Sequence, residues 1–441
     1  MDQLRQKELD EYVTNLMQAK NIPGAAIAVS KNGELVYQKG FGYRDVERKE
    51  LVTPETIFGI ASVSKSFTAM AIMKLEQEGR LSVTDPVIKY IPEFTIKGVP
   101  SIDKINIHHL LSHTSGVPPM NRREDLDKLD DHICYFAEED IKMLGNPGEY
   151  FSYCNDTFLL LGLIIERITG QLFRRYITSN ILEPLGMNRS TFSLEEISKL
   201  DNISVPYEFN RKTKQFEQQP WPKLGNYEVG GGIRSNVLDL IKYGQQYIDC
   251  DTNDQQILSK KQINKMGKAF FQISEYSFYG FGLTTTPDYS GITLIEHGGG
   301  QPGVSSHFGF APEKKLVIAV LTNISGAPSA DLWLGAVNAA LDLPIERKRY
   351  EPPVYESSQE ELLVMDGSYA SAEGSKITVT THDGMPKVTM GEESLEFRSA
   401  SKDMLWNEEY GLSIRFYVKS GEKAWAVLFG SRMLRRIAED I

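Results

Sequence analysis

Apolar residues fall into two regimes along the chain. Up to about residue 345, helical periods alternate with apolar runs of strand length; beyond about 360, only period-two segments remain. Leu4, Leu9, Val13, Leu16 and Met17 share one stripe and predict an amphipathic helix over residues 3–20. After the turn NIPG, residues 24–31 and the run LVYQKGFG flank Asn32-Gly33, a strong hairpin signal. In residues 57–79, IFGIASVSKSFTAMAIMKLEQEG, the positions Phe67, Met70, Ile72, Met73 and Leu75 mark one side of a helix that Gly79 stops. Short helices follow Asp85-Pro86 and occupy part of 105–117. Residues 118–147 are charged and partly helical, 156–170 form a buried helix ending at Gly170, and 171–183 add another. Residues 201–228, with Pro206 and Pro220, are polar and aperiodic and read as a long loop able to overhang a cleft. Ser235 then reads as the N-cap of a helix reaching 248, and 259–268 form one more.

From residue 279 the period changes. YGFGLTTT, ITLIEHGGG, VSSHFGFAP and KLVIAVLTN read as successive strands with short turns, hence antiparallel, and 331–343 as a helix covering them. Residues 1–345 are therefore expected to be one α/β unit with a helical insertion, its sheet assembled from both ends of that region. The stretch 346–360, ERKRYEPPVYESSQE, reads as a linker. Within 361–441, apolar residues alternate at Ile377/Val379, Val388/Met390, Leu395/Phe397 and Ile414/Phe416/Val418, and 424–429 and 433–437 add strands. Turns fall at His382-Asp383-Gly384, Gly391-Glu392, Ser420-Gly421 and Gly430-Ser431. This predicts a small all-β barrel without a catalytic cluster of its own.

Composition narrows the functional classes. The 441 residues carry a formal charge of −11 and no basic run, which argues against nucleic acid. Cys134, Cys154 and Cys250 give neither a disulfide framework nor a metal spacing. The N-terminus lacks the apolar core of a signal peptide, and no apolar run approaches membrane-spanning length, so a cytoplasmic protein without membrane contact is expected.

Ser62 and Lys65 lie three apart at the start of the 57–79 helix, so hydroxyl and amine share a face. A buried amine with a lowered pKa can take the hydroxyl proton, and the apolar neighbours Phe58, Ile60, Ala61, Val63 and Phe67 supply such a setting. An ordinary solvated Ser and Lys is the alternative. Tyr153 and Asn155 precede the next buried helix; the phenol can shuttle a proton, and the amide can hold a substrate or the Lys65 amine, or each can serve as plug and cap. His297-Gly298-Gly299-Gly300 ends a strand where glycines allow a ligand close to the backbone, and His297 can donate to a carbonyl, a carboxylate or Tyr153. The glycines lack Walker spacing, which argues against nucleotide binding. His109 and His113 are four apart without a third ligand, so hydrogen bonding rather than metal is expected of them.

Ser62-x-x-Lys65, Tyr153-x-Asn155 and His297-Gly298-Gly299, in that order, resemble the three motifs of serine β-lactamase-like and penicillin-binding hydrolases, in particular the class C β-lactamase, esterase and D-aminopeptidase branch. HLLSHTSGVP at 109–118 and GGGIRS at 230–235 match as well, and the resemblance covers roughly residues 10–340. It implies a β-lactamase/transpeptidase-like fold with an antiparallel sheet, flanking helices and a helical subdomain, followed by a lipocalin-like barrel. It implies Ser62 as acylated nucleophile, Lys65 and Tyr153 as base and shuttle, and Asn155 as orienting residue. An oxyanion hole would come from the Ser62 N–H and the strand at Gly298, Gly299, Gly300 or Gln301. Where many relatives carry Lys-Thr/Ser-Gly, this chain has His-Gly-Gly, so the usual cation for a carboxylate is missing. That favours small esters, amides and peptides with a free amino end over β-lactams and D,D-peptides. No cofactor or metal is implied, and the barrel offers a surface for a homo-oligomer. A non-catalytic binding protein on the same fold is the alternative of another class.

Overall fold

In the computed structural model, residues 1–248, 256–419 and 422–438 are described. Cys250 and the Ser420-Gly421 turn lie outside them. The first sheet has nine strands and draws on both ends of the first region. Its centre pairs Gly24–Lys31 with Leu316–Thr322, Ile27 opposite Val320. Glu34–Asp45 and the short Glu50–Leu51 continue it on one side. Val304–Ala311, Ile292–Gln301, Thr284–Tyr289, Phe278–Tyr279 and Phe271–Gln272 continue it on the other. Every adjacent pair is antiparallel. Asn32 and Gly33 both take positive φ, 56° and 81°, the geometry that lets a two-residue hairpin follow strand twist.

The central strands are covered on both faces, which explains why they read as unbroken apolar runs. Ala25, Ile27 and Val29 alternate with Ala26 and Ala28 between two cores. One core holds the helices Gln3–Ala19 and Ser329–Ala340 against the sheet. The other holds the helical region, centred on Ser64–Gln77 and Asn155–Thr169. The Ser64–Gln77 helix is buried on all sides rather than along the single stripe expected, because it runs through the middle of that core and buries Lys65, Ser66 and Thr68 with its apolar residues.

Two local expectations are corrected. Residues 201–228 are not featureless: Tyr207–Asn210 pairs with Gln215–Gln218, Tyr207 is buried, and Phe209 and Phe216 pack beside it. Polar outward positions masked that hairpin's alternation. Ser235 lies in a two-strand pairing with Phe58, so the N-cap of helix Val237–Gln245 is Asn236, whose side chain accepts from the Asp239 N–H.

Beyond residue 358, a short helix that apolar period alone does not reveal, Gln359–Met365, starts with a Ser358/Glu361 capping box. Nine strands then form a nearly closed barrel, from Glu393–Glu396 at one edge to Arg398–Ser401 at the other. The Phe397 N–H, between the edges, donates to Pro386 O at 3.0 Å. The barrel is not detached. Ala426, Leu428 and Met433 pack with Leu144, Phe151, Tyr153 and Tyr279 of the first unit. No helix among the described residues is long and apolar enough to cross a membrane.

Candidate active site

Ser62 sits in a single 3₁₀ turn, Ala61–Val63, feeding the Ser64–Gln77 helix. Ala61 has φ 45°, a left-handed conformation that turns the chain sharply just before the serine. The turn is pinned from two sides. Ile60 N donates to Ile233 O at 3.0 Å, and Ser306 Oγ donates to Ile60 O at 2.7 Å. Gly299 packs directly against it: a Cβ there would lie 2.5 Å from Ile60 O and 3.0 Å from the Ser62 nitrogen. The requirement for glycine at 299 is thus the close approach of strand and nucleophile turn.

Lys65 is 1% exposed. Its Nζ donates to Asn155 Oδ1 at 2.9 Å and to Gly230 O at 3.0 Å. A Cβ on Gly230 would stand 2.5 Å from that nitrogen, so the small residue makes room for the amine. Burial, followed by the charges of Arg122 and Arg432, pushes the Lys65 pKa down to about 7. A neutral primary amine has two N–H bonds and one lone pair. With both hydrogens given to Asn155 and Gly230, the lone pair is the remaining direction available to a proton from Ser62.

The Tyr153 ring lies under the amine, with Nζ 5.0 Å from its centre, and packs against His113 at 4.1 Å between centres, tilted by 32°. Its hydroxyl neighbours the Ser62 side chain but forms no aligned hydrogen bond among the described residues. Burial raises the phenol pKa well above its ordinary value, against the smaller lowering by Ser62 and Arg432. The resting phenol is therefore neutral, and Lys65 is the member of the pair that titrates near neutrality. Cys154, between Tyr153 and Asn155, is buried with its pKa raised to about 12, an inert thiol.

His297 is placed differently from its expected role. Its Nδ1 lies 2.6 Å from Gly298 O and its Nε2 2.9 Å from the Tyr279 hydroxyl. A carbonyl only accepts, so Nδ1 carries the proton and Nε2 accepts from Tyr279. Neither nitrogen is left to donate to Tyr153 or to a ligand; the ring's centre is 6.2 Å from that of Tyr153. Burial, with Lys65 nearby, pushes the His297 pKa down to about 3, so it is neutral. Of the glycines after it, Gly298 presents its α-carbon to His307, Gly299 to Ser62, and Gly300 to open space. Strand Thr284–Tyr289 pairs with this strand only as far as Glu296, so the outer edge of 297–301 has no strand partner among the described residues. His109 Nδ1 accepts from Asn106 N at 3.0 Å and His113 Nδ1 from Cys154 N at 3.2 Å, each within a local hydrogen-bond arrangement.

Three further charged groups at the site carry no motif signal. Glu373 lies in a barrel turn, and its Oε1 accepts from Asn155 Nδ2 at 3.1 Å. Arg432, at the start of strand Arg432–Arg436, donates from Nε to Glu373 Oε2 at 2.5 Å and lies 5.1 Å above the Tyr153 ring. Arg122 sits 4.2 Å over the Tyr227 ring. The two barrel residues are 218 and 277 positions from Asn155, and only the tertiary fold brings them there.

The Beta-lactamase family model matches residues 9–341. Protein flp of Staphylococcus aureus is 37% identical over 325 residues, 73% of this chain and 63% of that protein. The matched part is thus somewhat under two thirds of that relative's length. Penicillin-binding protein 4* of Bacillus subtilis is 27% identical over 329 residues, 69% of each chain. The octameric penicillin-binding protein homologue from Pyrococcus abyssi superposes with a TM-score of 0.74 at 32% identity, covering 98% of this chain and 100% of that one. The family match takes in the serine, the tyrosine and the His-Gly-Gly strand alike, and the solved relative extends the likeness through the barrel; this chain belongs to the Beta-lactamase family.

Proposed function

We propose that the protein is a serine hydrolase working through an acyl-enzyme on a small ester, or on an amide or peptide with a free amino end. The observation that carries this reading is Lys65: a buried amine, its two hydrogens committed, its pKa near 7, three residues from a partly exposed serine. In the acylation step, Ser62 Oγ gives its proton to the Lys65 lone pair and bonds to the acyl carbon. The carbonyl π electrons move to oxygen, and the Ser62 N–H with an N–H of the 298–301 strand edge receives that oxyanion. Collapse restores the carbonyl and expels the alcohol or amine, which takes a proton passed from Lys65 through the neutral Tyr153. Water then attacks the ester, gives its proton to Lys65, and Ser62 leaves with a proton returned.

The substrate preference rests on His297. A neutral ring locked between Gly298 and Tyr279 supplies no cation where a carboxylate would be gripped. β-Lactamase or D,D-carboxypeptidase activity is the competing reading, and Arg432, a cation over the Tyr153 ring, is a group that would favour it. A fluorophosphonate should label Ser62 and leave S62A unlabelled. Folded protein unlabelled from pH 6 to 9 would refute the acyl-enzyme. Turnover of nitrocefin or a D,D-dipeptide with kcat/KM above that of p-nitrophenyl acetate and D-alanyl p-nitroanilide would refute the preference.

A further inference from the structure

The barrel touches the first unit at the catalytic segment itself. Tyr153 N donates to Ser431 O at 2.8 Å, and Met433 N donates to Ser152 Oγ at 3.1 Å, so the start of strand Arg432–Arg436 is tied to residues 152–153. Between those ties Arg432 turns its guanidinium over the Tyr153 ring. The adjoining barrel turn, whose tightness Gly374 allows with φ 100°, holds Glu373 against Arg432 on one oxygen and against Asn155 on the other. The result is a circuit: Lys65 to Asn155, Asn155 to Glu373, Glu373 to Arg432, and Arg432 over Tyr153.

The circuit has a chemical consequence at Asn155. Its amide can present either oxygen or nitrogen to Lys65. With the oxygen inward, the amide accepts a Lys65 hydrogen and leaves the amine's lone pair for Ser62. With the nitrogen inward, the amide donates, and the lone pair is drawn to Asn155 instead. The outward group decides which orientation holds. A carboxylate only accepts, so Glu373 selects Nδ2 outward and Oδ1 inward. Arg432 Nε, donating to the other carboxylate oxygen, holds that acceptor aimed at Asn155.

We propose that Glu373 and Arg432, both from the C-terminal barrel, are positioning residues for the Lys65–Asn155–Tyr153 centre, so that the barrel completes the active site. This rests on the acyl-enzyme reading for its kinetic consequences but not for its electrostatic ones. The charged and titratable groups that face Lys65 are Arg122 from the helical region, Glu373 and Arg432 from the barrel, Cys154 and Tyr153 beside Asn155, and the neutral rings of His113 and His297. Two of these belong to the barrel and carry opposite charges, so their removal has opposite effects on Lys65.

The test uses the full chain and two readouts. The first is the Lys65 titration followed by NMR of isotope-labelled lysine side chains, which needs no turnover. The second is the pH profile of Ser62 labelling by a fluorophosphonate. E373Q keeps shape and removes the negative charge, so the Lys65 titration should move to lower pH. R432Q should move it to higher pH. Each displacement is expected to be about half a pH unit or more, the scale of a nearby unit charge. R432K, which keeps the charge, should stay near wild type. E373A, which also loses the acceptor for Asn155, should lower the labelling rate about tenfold or more at its plateau. K387A, on an exposed barrel position, should change neither. Displacements of E373Q and R432Q in the same direction, or both within about 0.2 of wild type, would overturn the proposal. Wild-type protein with the expected Lys65 titrations but no Ser62 adduct would instead overturn the acyl-enzyme reading alone.

Discussion

If Lys65 is the base, acylation must follow its deprotonation. With a pKa of about 7, about half the amine is neutral at pH 7 and about one part in a hundred at pH 5. The second-order rate of fluorophosphonate labelling should therefore rise about tenfold per pH unit up to pH 7 and level off above about 8. Tyr153, whose phenol burial holds above its ordinary pKa, should add no limb below pH 9. Intact mass against time in buffers from pH 5 to 9, with circular dichroism to confirm folding, reads this directly. An inflection at 9–10, or a flat profile, would refute Lys65 as the resting base.

The same burial has a thermodynamic counterpart. A fall from 10.5 to about 7 disfavours the ammonium in the folded state by about 5 kcal/mol, at 1.36 kcal/mol per pH unit. Below pH 7 folded and unfolded chains both hold the proton, and the penalty is fully present. Between pH 7 and 10.5 the unfolded chain binds more protons than the folded one, so stability rises with pH. K65M removes this group. Urea midpoints should show wild type gaining about 2 kcal/mol relative to K65M between pH 7 and 9, while labelling of K65M falls about 10²–10⁴-fold. Parallel stability curves for the two proteins would contradict the burial argument even if labelling is lost.

G299A should abolish labelling while leaving a folded protein, because its Cβ would force Ile60 and Ser62 off the strand; G300A, whose Cβ meets open space, should label near the wild-type rate. R349A should lower stability by about 3 kcal/mol, since Arg349 and His307 outweigh burial to hold the Glu296 carboxyl below its ordinary range, and removing the arginine leaves a buried charge short of partners; differential scanning calorimetry at pH 7 reads it. Because that pKa is depressed, the contribution is present above the ordinary glutamate range and is lost as pH falls through the folded value.

What the sequence disclosed followed from how local each determinant is. The Ser62–Lys65 pairing is set by helical spacing, the hairpin by Asn32-Gly33, and the end of the Asn155–Thr169 helix by Gly170, left-handed at φ 71°. The 207–218 hairpin escaped because its inward residues are few and its outward ones charged. His297 lost its expected role for a non-local reason. Tyr279, 18 residues earlier and two strands away in the sheet, donates to the Nε2 that was to serve a ligand. Glu373 and Arg432 had no signal at all, since a turn glutamate and a strand-end arginine are unremarkable until the barrel docks.

That docking bears on why two groups so different in ordinary pKa can share one pocket without charge. Desolvation penalises the ammonium of Lys65 and the phenolate of Tyr153 alike. The arginines then act in opposite senses: they add to burial at Lys65 and subtract from it at Tyr153. Burial dominates both, so above pH 7 the pair rests mainly as amine and phenol rather than as an ion pair. A proton leaving Ser62 then creates the ammonium where burial alone would resist it most, and the Glu373 carboxylate favours that charge. On the acyl-enzyme reading, that ammonium forms together with a new negative charge on the acyl oxygen, which attracts it. If the proposed acylation holds, the site disfavours isolated charge before reaction and tolerates paired charge once the acyl oxygen becomes negative, the difference between ground state and transition state that acylation needs.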